Sequence, residues 1–245
     1  MKENIVKKKI REGKLVLGSY CDPLQFYQIE MMAKAGYDFV VLEGEHSPYY
    51  GVEHCVHAVE VAEATGITPF IRISDNNPVL VNKALEIGAY GVMVPHVESK
   101  EECELAVRAA KYPPEGTRGS WGPQALEWKF ANEQTMVNVL PLESRKAIAN
   151  IEEILSVKGL DMISLSTGDI TFALGYPNQP MHPEVVKVRD HVLELCKKKG
   201  IVAYAVGDQD LLKYYYKKGV RVFVSSVNIM KAFQDHVNEL HRVLS

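Results

Sequence analysis

Six glycines, Gly36, Gly66, Gly88, Gly159, Gly200 and Gly219, each close a stretch of helical period and stand just before a short apolar run. Glycine at that place supplies the left-handed residue that ends a helix without steric cost. Repeated along the chain, the junction predicts βα units around a parallel sheet. Eight strand candidates begin near Val16, Asp38, Thr68, Gly91, Met136, Asp161, Val202 and Arg221, each followed by a plausible helix. In the second unit, Phe39-Val40-Val41-Leu42 is apolar on both faces, as a strand between a barrel core and an outer helix must be. A helix over 51–65 follows and Gly66 ends it. Eight units in 245 residues match the usual size of a (β/α)8 barrel, roughly 250 residues. The expected fold is therefore α/β, a single TIM-barrel domain over residues 1–245. A doubly wound open sheet is the runner-up, but no G-x-G-x-x-G follows the first strand.

Composition narrows the function classes. With 47% apolar and 24% charged residues and no Pro/Gly/Ser-rich or charge-dense linker, one sizeable core is expected. Lys and Arg total 28 against 31 for Asp and Glu, so a net charge of -3 makes no electrostatic case for nucleic acid or an anionic membrane. The basic start, Lys7-Lys8-Lys9 with Arg11 and Lys14, reads as a short helix covering the barrel bottom. No apolar stretch long enough for a signal peptide or membrane span follows it. Cys21, Cys55, Cys103 and Cys196 lie far apart with no C-x-x-C pair, which speaks against a disulfide framework or thiolate zinc site and fits a reducing cytoplasm.

Barrel chemistry sits at the C-terminal ends of strands, and four such ends carry reactive groups. The second runs into Glu43-Gly44-Glu45-His46, the third ends in Arg72, the fifth leads to Glu143 and the sixth to Asp169. Glu143 and Asp169, from successive strands, could hold a divalent ion and leave positions for waters and a bidentate substrate. Alternatively Glu143 pairs with Arg145, and Asp169 caps the helix beginning at Ile170. His46, beside two glutamates, suits a general base near neutral pH. Arg72 ends an apolar run where a lone guanidinium is costly, so it needs an anion: a substrate carboxylate, a developing enolate oxygen, or Glu45 or Glu143 in a structural salt bridge. His96, after Pro95 at the fourth strand's end, is intermediate, and His54, His57, His182 and His191 read as background. Two long segments, 113–135 with Trp121 and Trp128, and 175–183, are expected on the catalytic face. Met31-Met32 and Tyr214-Tyr215-Tyr216 read as helix packing.

Ala35-Gly36-Tyr37-Asp38-Phe39 leading into Glu45-His46-Ser47-Pro48 resembles a block of the HpcH/HpaI family, the class II pyruvate-dependent aldolases. Further matches come in order: Ile71-Arg72, Glu86-Ile87-Gly88-Ala89 before Val94-Pro95, and Tyr112-Pro113-Pro114-Glu115-Gly116-Thr117-Arg118-Gly119. Leu142-Glu143, Gly159-Leu160-Asp161, Asp169, Leu174-Gly175-Tyr176-Pro177 and His182-Pro183 complete the set, which covers most of the chain from about Gly18 to Phe223. The resemblance implies a (β/α)8 barrel, usually a hexamer built from dimers, with Mg²⁺, Mn²⁺ or Co²⁺ at its mouth. It places the metal carboxylates on Glu143 and Asp169, the base on His46 and the enolate-stabilising guanidinium on Arg72. Acidic helpers fall on Glu43 and, reaching in from a neighbouring subunit, Glu86. Ser166, Thr167 and Gly168, with Arg72, fall where the substrate carboxylate binds.

Several positions depart from that pattern. The family usually has Asp at both helper positions, Gln where Pro141 stands and Gly-Pro where Ser166-Thr167 stand, and the loop after Arg118-Gly119 is short. The leading expectation is a carbon-carbon bond lyase acting through the enolate of a pyruvate-like 2-oxo acid, with a carbonyl co-substrate. A second is the siderophore-pathway citrate synthase branch, which joins acetyl-CoA to oxaloacetate and can dispense with metal. A third is a catalytically silent barrel serving as a binding or assembly subunit.

Overall fold

The computed structural model describes residues 1–47, 51–165, 168–225 and 229–244, with backbone alone at 229–232. Eight parallel strands form a closed barrel in sequence order: β1 (Val16–Cys21), β2 (Phe39–Glu43), β3 (Thr68–Arg72), β4 (Gly91–Val94), β5 (Met136–Val139), β6 (Met162–Ser164), β7 (Val202–Val206) and β8 (Val222–Val224), which pairs back onto β1. Each strand starts within one residue of its expected position. The six punctuating glycines all have left-handed φ, from 70° at Gly200 to 114° at Gly88.

Two cores follow from the strand pattern. Outward-facing Val40, Leu42, Ile71, Val92, Val137 and Ile163 pack under the helices. Inward-facing Phe39, Val41, Phe70, Met93, Met162 and Tyr204 fill the barrel. Filling depends on glycine beside aromatic: a Cβ on Gly18 would lie 2.3 Å from the Phe39 ring. Phe39 and Phe70 pack with centroids 5.2 Å apart.

The basic N-terminus has a physical job at the barrel bottom. Asn4 caps helix Ile5–Arg11, and Val6 on that helix is fully buried in the inner core. Lys7 pairs with Asp161 at 2.9 Å and Lys9 with Asp38. Those two aspartates stand just before β6 and β2 and accept the backbone N–H of Val137 (2.9 Å) and Leu17 (3.0 Å) on the preceding strands. The Asn4 N–H also donates to Gln134 Oε1 at 2.8 Å, tying residue 4 to the middle of the chain.

The segment 113–135 does not lie on the catalytic face. A strand carries the chain up to the mouth and its helix carries it back, so whatever follows helix Lys100–Ala110 is delivered to the bottom. There Lys111 Nζ donates to the carbonyls of Asn132 (2.6 Å) and Thr135 (2.8 Å), and two short helices, Pro123–Leu126 and Trp128–Gln134, complete the excursion. Trp121 is 88% exposed at that end, away from the mouth. The segment 175–183 lies between helices Asp169–Leu174 and Pro183–Lys199, before the descent to β7, and so is at the mouth end. Of the paired side chains read as helix packing, Met32 and Tyr215 are buried while Met31 and Tyr216 are half exposed.

Candidate active site

Parallel register puts Glu43 directly opposite Arg72 at the ends of β2 and β3. Arg72 Nε donates to Glu43 Oε1 at 3.1 Å, and its Nη2 pairs with Glu43 Oε2. Nη1 lies 3.1 Å from Glu45 Oε2, and the guanidinium sits 4.8 Å above the Tyr20 ring centroid. Glu43 Oε1 also accepts the backbone N–H groups of Glu45 (2.8 Å) and His46 (3.0 Å), so one carboxylate shapes the turn and holds the guanidinium. Gly44 makes this turn possible. Its N–H donates to the Arg72 carbonyl at 3.0 Å, and a Cβ there would lie 2.6 Å from that oxygen. The two sequence alternatives for Arg72, a substrate anion and a salt bridge to Glu45, meet here: the salt bridge exists, and it stands at the mouth.

The cluster continues through an imidazole. His96 has a left-handed backbone (φ 52°), which turns its N–H onto Glu143 Oε2 at 2.7 Å. Its Nδ1 lies 3.1 Å from the same oxygen and its Nε2 lies 3.3 Å from Glu45 Oε1. His46 Nε2 is 3.8 Å from Glu45 Oε2, the oxygen that also faces Arg72. Glu45 is therefore the hub, 6% exposed, touched by one guanidinium and two imidazoles.

Burial sets the electrostatics. It pushes the Glu143 carboxyl up to about 7, where the His96 N–H pulls down while the charges of Glu45 and Asp169 push further up. Burial likewise raises Glu45, with Arg72 and the two histidines opposing. Burial draws Arg72 down, but its hydrogen bond to Glu43 and the charges around it leave the guanidinium above its ordinary value. Tyr20 is raised well above the usual phenol range by burial. Such perturbation concentrated at one barrel mouth marks a candidate functional site.

Glu43, His46, Arg72, Glu143 and Asp169 are thus brought to one mouth. Asp169 is exposed, opens helix Asp169–Leu174 and is close enough to raise Glu143; Gly168, not Asp169, occupies the cap position. Arg145 donates to the Leu174 carbonyl at 2.9 Å. Glu86 ends helix Pro78–Glu86 and is exposed at the bottom of its own barrel, so within one chain it does not join the cluster. Ser166 and Thr167 lie outside the described residues. Sequence reasoning under-read Glu45 and His96 and missed Tyr20. Glu45 and His96 had a signal, a charged or titratable residue just past a strand end, whereas Tyr20 in β1 looked like any β-rich aromatic.

A family model described as HpcH/HpaI aldolase/citrate lyase matches residues 20–232. The chain is 32% identical over 232 residues to a 2-dehydro-3,6-dideoxy-6-sulfogluconate aldolase of Pseudomonas putida, covering 91% of this chain and 90% of the relative. It is 35% identical over 191 residues to a pyruvate aldolase of Rhizobium etli, covering 75% and 74%. Among solved structures, an HpcH/HpaI aldolase from Desulfitobacterium hafniense superposes with a TM-score of 0.87 at 28% identity, over 98% of this chain and 96% of that one. The citrate synthase SbnG superposes equally well, with 0.87 at 29% identity over 97% and 96%. Aldolases of the family are generally divalent-metal-dependent and act on small-molecule 2-oxo acids. By its barrel and by these likenesses over nearly its whole length, the chain belongs to the HpcH/HpaI aldolase/citrate lyase family, as a carbon-carbon lyase or related synthase.

Proposed function

We propose that the protein cleaves or forms a carbon-carbon bond through the enolate of a pyruvate-like 2-oxo acid, with a carbonyl compound as the second substrate. The observation that carries this reading is Arg72 and His46 meeting on one oxygen of Glu45 at the mouth. Arg72, pre-oriented by Glu43 and Tyr20, stabilises the oxygen on which enolate charge develops, usually the largest contribution to such catalysis. His46 moves the proton of the aldol hydroxyl, and Glu45 orients it and balances its charge. The resemblance assigns the substrate carboxylate to Arg72 and to positions 166–168, of which Gly168 is described.

The donor set suits a divalent cation. A Glu143 carboxyl pushed up first by burial and further by the charges of Glu45 and Asp169 is in want of positive charge. Glu143 and Asp169 would hold Mg²⁺, Mn²⁺ or Co²⁺. When bound, the ion supplies Lewis-acid polarisation of the 2-oxo carbonyl and a chelation point for the carboxylate. Release of pyruvate from a panel of 4-hydroxy-2-oxo acids, with chelator and with each ion, tests the reading. No turnover of any member under any condition refutes it. The likeness to SbnG favours one second reading, citrate formation from acetyl-CoA and oxaloacetate, seen as thiol release that persists in chelator.

A homo-oligomer, a hexamer by resemblance, completes the proposal. Helix Ile229–Leu244 exposes Phe233 (66%), Val237, Leu240 and Leu244, spaced as one apolar stripe. Beside β1 and β8 a groove of about 350 Å³, lined by Leu15, Leu17, Leu212, Tyr216 and Phe223, is left open. A second copy's helix is the occupant called for by these two surfaces, which no described residue covers. Light scattering of Phe233→Asp should report dissociation; an unchanged mass removes this support.

A further inference from the structure

We propose that Thr171 and Arg189 are positioning residues for the end of the mouth that receives the substrate carboxylate: with the segment 175–183 held between them, they form a strut that fixes the peptide unit joining Gly168 to Asp169. The inference rests on the reading above, which puts that carboxylate at positions 166–168, and adds two residues that touch no substrate.

Thr171, fully buried on helix Asp169–Leu174, is the joint. Its Oγ1 and its N–H both donate to the Gly168 carbonyl, at 2.7 and 2.9 Å. The same Oγ1 accepts the N–H of Asn178 at 3.2 Å, and the Thr171 carbonyl accepts that of Tyr176 at 2.7 Å. One residue therefore carries the segment 175–183 on one side and Gly168 on the other. Gly168 itself faces open space: a Cβ there would meet no described atom within 4 Å. The segment cannot brace itself by a backbone ladder, because Pro177, Pro180 and Pro183 have no N–H to give. It folds instead into a knot, with Asn178 left-handed (φ 59°), the Gln179 N–H on the Tyr176 carbonyl at 3.1 Å, and the Tyr176 and His182 rings stacked with centroids 3.6 Å apart. Arg189 pins the far end. It is fully buried on helix Pro183–Lys199, its Nη2 donates to the Pro180 carbonyl, and its guanidinium lies 5.6 Å from the Tyr215 ring centroid. Its Nε and Nη1 make no hydrogen bond among the described residues. Burying a guanidinium with so few partners is costly. An apolar side chain would fill that space at lower cost but could not hold the carbonyl of a loop poor in donors.

The carboxylate is bound in ground state and transition state alike, so loosening its seat raises KM and spares kcat. Full-length protein is assayed on the best substrate of the 4-hydroxy-2-oxo acid panel, and pyruvate binding is measured by calorimetry, with saturating Mn²⁺ in every sample. Thr171→Val keeps the shape and loses both hydroxyl bonds; KM and the pyruvate Kd should rise roughly tenfold while kcat changes by less than about threefold. Thr171→Ser, which keeps the hydroxyl, should restore both to within about threefold of wild type. Arg189→Met should reproduce the effect of Thr171→Val, and the double variant should be no worse than the poorer single, because both cut one strut. Gly18→Ala, a lesion of the inner core, controls for general destabilisation and should leave KM as it was. Wild-type KM and Kd in folded Thr171→Val, an equal loss in Thr171→Ser, or effects that multiply in the double variant overturn the proposal. If Arg189→Met does not fold, the Thr171 pair decides. If wild type binds pyruvate through Arg72, lost in Arg72→Lys, and Thr171→Val binds it equally well, the strut falls and the reading of the site stands. If wild type neither binds pyruvate nor turns over any member of the panel, both fall.

Discussion

Glu143→Gln should make the metal-free protein more stable above neutral pH while destroying its function. The wild-type carboxyl is 8% exposed and pushed up to about 7 from an ordinary 4.5, first by burial and then by Glu45 and Asp169. An acid whose folded pKa lies above its unfolded value binds its proton more tightly in the native state. Native stability is therefore unaffected below pH 4.5, declines as pH rises through the window to about 7, and reaches its full deficit above it. A displacement of this size corresponds to about 3 kcal/mol, and sharing among the neighbouring acids brings the single-site share nearer about 2 kcal/mol. Glutamine keeps a carbonyl to accept the His96 N–H and carries no charge, so the deficit should vanish. Urea melts of chelated protein at pH 5 and pH 8 measure it. The wild type should lose about 2 kcal/mol more than the variant between the two, with the curves converging at the acid end. Saturating divalent ion should restore the wild type alone. Parallel pH dependence in the two proteins would refute the reasoning, because the site would then carry no stored electrostatic cost.

Three further substitutions probe the frame. Arg72→Lys keeps a charge but loses the fork that spans Glu43 and Glu45, and kcat/KM should fall by about a hundredfold with KM changed much less; wild-type turnover would remove Arg72 from the mechanism. Gly44→Ala forces a Cβ against the Arg72 carbonyl and should lower activity through displaced Arg72 while the fold survives, seen as reduced kcat with intact circular dichroism. Gly18→Ala drives a methyl into the Phe39 ring inside the barrel and should cost about 3 kcal/mol in a denaturant melt without entering the site; a loss under 0.5 kcal/mol, taken as the size of an ordinary surface change, would show the inner core is looser than it looks.

The barrel was legible because its signals are local. Left-handed glycine at a helix end and apolar runs such as Phe39-Val40-Val41-Leu42 depend only on neighbours in the chain, and the strand starts came out within one residue. The site was half legible for the same reason. Strand ends could be named from the sequence, so Glu43, Arg72 and Glu143 were found, but which of several histidines faces a carboxylate depends on backbone angles that no periodicity encodes. His96 has its place because of a φ of 52°, which is invisible in Val94-Pro95-His96-Val97. The segment 113–135 was misplaced because loop length was read as a sign of function, when the direction of the preceding helix already determined the end of the barrel to which it belongs.

The stitching of the first helix has a consequence for biogenesis. Lys9 finds Asp38 early, but Asn4 finds its partner at Gln134 and Lys7 at Asp161, so the docking of helix Ile5–Arg11 cannot be completed until those later segments have been made. Until then the basic segment 1–14 is only partly held. Ring closure between β8 and β1 comes later still, so a truncated translation product exposes both an unpaired sheet edge and that loosely held segment.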